Sequence, residues 1–188
     1  MGRVGIILLY IAIFLGPGLL SHELGHALGA VLAGGEVTQV AVAPGLQLYP
    51  DLQRTPWEGQ LGWVRTRGVS TDRDLGLMQV LGCGVTLTVA LVASLLLQRR
   101  RRGGVGRHVL LAFSLFFLDA LTYSTLPLVG LRHWGPVGGR QPEPLVALER
   151  LGVPTPVGLT VVVLLSLVCA ACIVLHLRRV PPGQRGGD

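Results

Sequence analysis

Long runs of apolar residues, separated by polar segments, dominate the pattern along this chain. Four runs, residues 4–33, 75–97, 109–129 and 157–177, are long enough for the roughly 20 residues of a membrane-spanning helix. The first run is too long for one untilted crossing and contains Gly16-Pro17-Gly18, so we expect a kink or break there. The pattern predicts an all-α integral membrane protein with about four transmembrane helices. They form one membrane domain, residues 1–180, before a disordered tail, residues 181–188.

Two short segments outside these runs also have interpretable patterns. Residues 37–48 alternate in polarity around Pro44-Gly45, which predicts a short β-hairpin after the first helix. The edge of this hairpin could pair with an extended peptide, and a role in packing alone is equally well supported. Residues 144–151, closed by Gly152, predict one short helix at the membrane interface.

Composition agrees with the membrane class. Half of the 188 residues are hydrophobic and only 14% are charged, and the mean hydropathy is +0.59. These values are too apolar for an ordinary soluble domain of this length. Arg3 followed by apolar residues would also fit a secretory signal peptide, but no convincing small-residue cleavage site precedes His22 and the apolar pattern continues past it. We therefore expect the first run to remain as a span.

The basic residues indicate an orientation. All sixteen are arginine, and nine lie before span one, between spans two and three, or after span four. These regions share one side of a four-span topology, so the positive-inside rule places both termini in the cytoplasm, by nine arginines to seven. The cluster of five arginines at residues 99–102 and 107 is better explained by anionic lipid than by nucleic acid. We expect the lipid bilayer, and no nucleic acid, as a partner.

The first run also contains an ionisable motif, His22-Glu23-Leu24-Gly25-His26. A charged group in a membrane helix is costly and needs a compensating role. On a helix, His22 and His26 share one face, where both rings can bind one zinc ion, and Glu23 lies beside them to take a proton from water. The alternative is that each histidine bonds to backbone or a neighbouring helix, with Glu23 protonated or paired. That alternative explains each residue but not their spacing.

A zinc ion held by two histidines needs a third protein ligand and an open position for water. Asp119 is the only acid in the other apolar runs, and its span runs parallel to the first. A carboxylate at that depth is reasonable opposite a divalent cation, and a hydrogen bond to Thr122 or to a neighbouring helix is the alternative. The remaining histidines and the Cys-x-x-Cys pair are weaker candidates: His108, His133, His176, Cys169 and Cys172.

Small residues predict close helix packing near the motif. Gly25 and Gly29 are four apart on the first span, and the first half of the second span is rich in glycine and threonine. Such residues let helix backbones approach each other. We expect this packing to let the third span bring Asp119 close to the histidines.

The motif at residues 22–26, the Gly34-Gly35 pair before a β-like stretch, and Leu118-Asp119 in a later parallel span resemble the site-2 protease family of intramembrane zinc metallopeptidases. The resemblance is to its compact bacterial relatives and covers roughly residues 4–129. It implies a three-span helical core around one zinc ion in a bacterial cell membrane. His22, His26 and Asp119 would be the ligands and Glu23 the catalytic base. The implied reaction is peptide-bond hydrolysis in or near transmembrane segments of membrane-anchored proteins.

Some features depart from that family. Ala120 follows the aspartate where the family usually has glycine, the second span has no asparagine, and no PDZ-like insertion is present. Ala120 keeps open a catalytically inactive zinc-binding scaffold of the same fold. An ion transporter is a further alternative because intramembrane His, Glu and Asp also mark ion paths, although no inverted repeat is detectable. The sequence leaves the substrate's identity and the oligomeric state open.

Overall fold

The structure is a computed structural model that describes residues 2–57, 59–100, 104–134 and 138–179. The predicted disordered tail, residues 181–188, lies outside the described residues. Two irregular turns lie within the long helical segments, a π-helical turn at Phe14–Gly18 and a 3-10 turn at Leu126–Val129. The α-helices are α1 (Arg3–Ile13), α2 (Leu19–Leu32), α3 (Asp72–Arg99), α4 (Val105–Ser114), α5 (Phe117–Thr125), α6 (Glu143–Arg150) and α7 (Thr155–Arg179).

Four helical segments are long and apolar enough to cross a membrane. They are Arg3–Leu32, Asp72–Arg99, Val105–Val129 and Thr155–Arg179. Their number and positions confirm the prediction of four long apolar helices. Large apolar side chains on their outer faces, such as Leu8, Leu95 and Leu164, are more than half exposed.

The first long segment is interrupted where the sequence predicts. Pro17 lies inside the π-helical turn, because proline has no N–H to donate and its ring crowds the preceding turn. The Ser21 hydroxyl donates to the Pro17 carbonyl at 2.6 Å. A second interruption, between α4 and α5, was not predicted because no proline or glycine marks it. It makes α5 a separate short helix with Asp119 in its first turn.

Glycines bring α2 and α3 into close contact. A methyl group added to Gly25 would overlap the Leu81 carbonyl, and one added to Gly29 would lie 2.5 Å from the Met78 Cα. Gly82 on α3 leaves room for the His26 ring in the same way. This packing confirms the predicted role of small residues beside the motif.

The buried apolar core lies between the long helices. It draws side chains from all four long segments, and Phe116 at the α4–α5 break is the largest fully buried one. Its buried members are Ile13, Cys83, Leu87, Ala90, Ala112, Phe116, Phe117, Ala120, Val162 and Cys169.

A small antiparallel sheet follows α2. Its strands are β1 (Glu36–Val42), β2 (Leu46–Tyr49), β3 (Gln53–Arg54) and β4 (Gly62–Arg67), in the order β3-β2-β1-β4. The predicted hairpin is confirmed as β1 and β2, with Ala41 opposite Gln47. The all-α description is incomplete, because β4 also pairs with β1, placing Val42 opposite Gly62. Local alternation does not reveal such a pairing between strands distant in sequence.

The short helix predicted at residues 144–151 is confirmed as α6. Leu145 and Ala147 are fully buried, and a methyl group added to Gly76 of α3 would lie 2.9 Å from the Ala147 carbonyl oxygen. Arg150 donates to Gln79 of α3 at 2.6 Å. These contacts hold α6 firmly against α3.

Candidate metal centre

Helix α2 carries the motif on its buried face. His22, Glu23 and His26 are 4%, 4% and 8% exposed. The four-residue spacing brings the two imidazole rings together, and their Nε2 atoms lie 3.1 Å apart. Two nitrogen donors therefore converge on one point beside a buried carboxylate.

The other nitrogen of each ring has an acceptor. His26 Nδ1 lies 3.0 Å from the Met78 carbonyl oxygen, and His22 Nδ1 lies 2.8 Å from Asp119 Oδ2. A carbonyl oxygen can only accept, so His26 Nδ1 carries the proton, and an ionised Asp119 has the same effect on His22. A neutral ring protonated at Nδ1 presents a lone pair at Nε2. The two Nε2 lone pairs therefore face each other. In zinc-binding histidines, the ring nitrogen that does not bind the metal usually donates to an acceptor, as both Nδ1 atoms do here.

The structure places Asp119 beside His22, as expected, but on the ring nitrogen remote from His26. Its Oδ2 also lies 2.7 Å from the Thr86 hydroxyl. Thr122, the alternative partner considered from sequence, donates to the Asp119 carbonyl rather than to its carboxylate. The ligand atoms grouped with Asp119 within 4.8 Å belong to His22 and Cys83.

A second carboxylate, missed by the sequence analysis, lies on the Nε2 side. Glu143 Oε1 is 4.0 Å from His26 Nε2, and the ligand atoms of His22, His26 and Glu143 lie within 4.8 Å of one another. Glu143 begins α6 and lies outside the four apolar runs. The available signal was an acid between Pro142 and Pro144, at the start of a predicted helix.

Strand β4 covers Glu23. A methyl group added to Gly62 would overlap the Glu23 carboxylate, so a side chain at this position would displace that carboxylate. Glu23, both histidines and Glu143 line a cavity of about 480 Å³, together with residues 62–64 of β4. The motif is thus reachable from the sheet side.

A second cavity, of about 250 Å³, lies on the Asp119 side of His22. His22, Thr86 and Asp119 are its polar lining residues, and most of the others are apolar, including Leu15 and Phe116. His22 lines both cavities. His22, like Leu61 and Tyr123, therefore borders both a polar space next to Glu23 and an apolar one next to the π-helical turn.

Two described residues between α5 and α6, His133 and Gln141, lie beside the site. The Tyr123 ring lies 4.9 Å from the His22 ring and stacks on His133 at 3.8 Å, centroid to centroid. The Nε2 atom of His133 also bonds to the Gln141 carbonyl oxygen. Of the other weaker candidates, His108 bonds to the Tyr10 hydroxyl at 3.1 Å.

The donor set suits zinc. Two imidazole nitrogens and a carboxylate oxygen form one of the known three-ligand sets of catalytic zinc sites, with bonds of about 2.0–2.2 Å. Tetrahedral bonds of that length separate neighbouring ligand atoms by about 3.3–3.6 Å. The 3.1 Å and 4.0 Å separations lie on either side of this range. Movement of the Glu143 carboxylate toward the two histidines would therefore complete the site.

Comparisons of this chain with family models, with curated proteins and with solved structures found no match.

Proposed function

We propose that this protein is a zinc endopeptidase in which His22 and His26 hold the ion and Glu23 is the general base. The observation that carries the proposal is the 3.1 Å approach of two Nε2 atoms beside a buried Glu23 that lines an open cavity. The motif's resemblance to site-2 proteases supports the same reaction class. A third protein ligand, a carboxylate, completes the set.

The proposed setting is a bilayer. Four long helices with apolar outer faces favour a multi-pass protein whose lipid contacts are these faces. The arginine distribution favours cytoplasmic termini, and the resemblance favours a bacterial cell membrane. In this setting the substrate is a membrane-anchored protein.

Hydrolysis needs an activated water molecule and a proton carrier. Zinc, when bound, supplies a positive charge that polarises the peptide carbonyl and makes water more acidic. Glu23 takes a proton from the water molecule while the water oxygen forms a bond to the carbonyl carbon. Glu23 then gives a proton to the amine nitrogen as the carbon–nitrogen bond breaks. His22 and His26 keep their orientation through their Nδ1 contacts.

We place the substrate along β4. A helix hides its amides, so a membrane-anchored substrate must unwind locally and find new hydrogen-bond partners. Strand β1 is paired on both sides, whereas β4 is the last strand of the described sheet. An extended peptide added to β4 would pass Gly62, which touches Glu23. The proposed peptide-binding edge is therefore β4 rather than the hairpin.

Replacement of Glu23 by glutamine tests the function. The test substrate is a fluorescently labelled transmembrane peptide with a central Gly-Pro break, incorporated in lipid vesicles with the purified full-length protein. Glu23→Gln should retain about one zinc per chain and lose proteolysis by about 10²- to 10⁴-fold, because the general base is gone. Glu36→Gln, the same change on β1, is the control and should retain full activity.

Three outcomes would count against the proposal. Wild type that binds no zinc when supplied with it would exclude the zinc site. Zinc binding without cleavage of this peptide would favour the inactive scaffold. Equal cleavage by wild type and Glu23→Gln would exclude Glu23 as the base.

A further inference from the structure

We infer that Glu143, rather than Asp119, is the third zinc ligand, and that Asp119 is a positioning residue that orients His22. This inference rests on the proposed zinc site and deepens it. It differs from the assignment of Asp119 that the family resemblance implies.

Asp119 and His26 lie at different nitrogen atoms of the His22 ring. Asp119 Oδ2 lies 2.8 Å from Nδ1, which is a direct hydrogen bond. Atoms that share a zinc ion are about 3.3–3.6 Å apart, so an ion does not fit between this pair as it stands. An ion there would also lie on the edge of the His22 ring remote from His26 Nε2, and the second histidine of the motif would not bind it.

Glu143 lies close to both histidines of the motif. Its carboxylate lies on the side where both Nε2 atoms point, with Oε1 4.0 Å from His26 Nε2. The Glu143 side chain is 25% exposed, so it has room to move closer to both histidines, as a shared zinc ion requires. The adjoining cavity leaves a further position open for water next to Glu23.

Contacts on both sides of Glu143 fix its place. After it, Leu145 and Ala147 are buried, and Ala147 packs against Gly76 of α3. Before it, the Gln141 carbonyl bonds to His133, which stacks on Tyr123 beside the metal motif. The start of α6 is therefore held next to α2 by packing that does not depend on the ion.

The contacts of Asp119 are those of an orienting carboxylate. It is 7% exposed, bonds to His22 Nδ1, and lies 2.7 Å from the Thr86 hydroxyl. A carboxylate behind a metal-binding histidine fixes the tautomer and the ring orientation and makes the ligating nitrogen more basic. The Met78 carbonyl oxygen accepts a hydrogen bond from His26 Nδ1 in the same way.

A competing site consists of His22, Cys83 and Asp119, whose ligand atoms also lie within 4.8 Å of one another. Its Cys83 Sγ is 3.9 Å from His22 Nδ1. It would bind the ion through sulfur and would not use His26. The experiment separates the two sites.

The test measures zinc affinity of the full-length protein by competition with a chelator. Glu143→Gln should weaken zinc binding by more than the roughly 10- to 100-fold typical of a lost outer partner, whereas Asp119→Asn should stay within that range. Cys83→Ser should bind zinc like wild type. Glu149→Gln, the same change on the same helix, is the matched control and should also bind normally. X-ray absorption of the zinc-loaded wild type should show nitrogen and oxygen donors without sulfur.

A structural effect of the substitution is checked separately. The zinc-free forms of wild type and Glu143→Gln should unfold alike, and Glu143→Asp, which keeps a carboxylate, should recover part of the affinity. Failure of that recovery, or an Asp119→Asn loss as large as that of Glu143→Gln, would overturn the inference. Sulfur coordination of the zinc ion, together with a loss of zinc affinity in Cys83→Ser, would also overturn it. If the wild type binds no zinc, the proposed function itself is wrong. If the wild type binds zinc and Glu143→Gln binds it with equal affinity, only this inference is wrong.

Discussion

The two edges of the His22 ring face different kinds of structure. Its Nδ1 edge faces α3 and α5, where Asp119 and Thr86 are buried and hydrogen-bonded among long apolar helices. Its Nε2 edge faces His26, Glu143 and the cavity of about 480 Å³ that β4 also lines. One side holds the ring rigidly, and the other leaves donor atoms accessible. The difference indicates that orientation comes from the helix interior, whereas the reactive face is assembled by segments outside it.

The largest effect is expected where the helix interior is tightest. Gly25→Ala would put a methyl group against the Leu81 carbonyl of α3. Because backbone atoms cannot rotate away, α2 and α3 must separate, at a cost of about 3 kcal/mol in the free energy of unfolding. Titration with SDS in mixed micelles, with helical circular dichroism as the signal, measures this.

The control for Gly25→Ala is Gly84→Ala on α3. The nearest atom to a methyl group at Gly84 would be 3.8 Å away, so its unfolding free energy should change by no more than about 1 kcal/mol. Equal destabilisation by the two changes would show that helix separation is not the cause.

An intermediate effect is expected on the open side. Gly62→Ala would displace the Glu23 carboxylate, which the added methyl group would overlap. A displacement of about 1 Å at a catalytic group can lower the rate by roughly 100-fold, and neither histidine is touched. Cleavage of the labelled transmembrane peptide should therefore fall by that order with zinc content unchanged. Loss of zinc in Gly62→Ala would instead show that the sheet supports the ligands.

The smallest effect is expected from one hydroxyl on the Asp119 side of His22. Thr86→Val keeps the side-chain shape but removes the group 2.7 Å from Asp119 Oδ2. The free energy of unfolding should fall by about 1 kcal/mol, which is typical of one hydrogen bond. Zinc affinity should fall by roughly 10-fold or less, the lower limit for groups that support a metal ligand without touching the metal. SDS titration and chelator competition measure the two quantities.

Thr88→Val is the control for Thr86→Val. Its hydroxyl bonds to the Gly84 carbonyl within the same helix and faces outward, so stability should change by less than about 0.5 kcal/mol. A similar loss in both variants would place the effect in helix α3 rather than at Asp119.

Sequence reasoning succeeded where neighbouring residues decide the outcome. It located the four long apolar helices, the break at Pro17, the β1–β2 hairpin and helix α6. It also placed His22 and His26 on one face, since residues four apart on a helix must be adjacent. It missed the break before α5 and the pairing of β4 with β1, neither of which has a local signal.

By itself, the sequence determined which segments are helical and apolar and that two imidazoles and a carboxylate share one turn of helix. Only the tertiary structure decided which edge of His22 meets Asp119, and that Glu143, 117 residues after His26, reaches the opposite edge. Helical periodicity depends on backbone geometry within a few residues, so it can be read along the chain. The approach of distant segments depends on how glycines, loops and buried side chains pack together, which no local pattern contains.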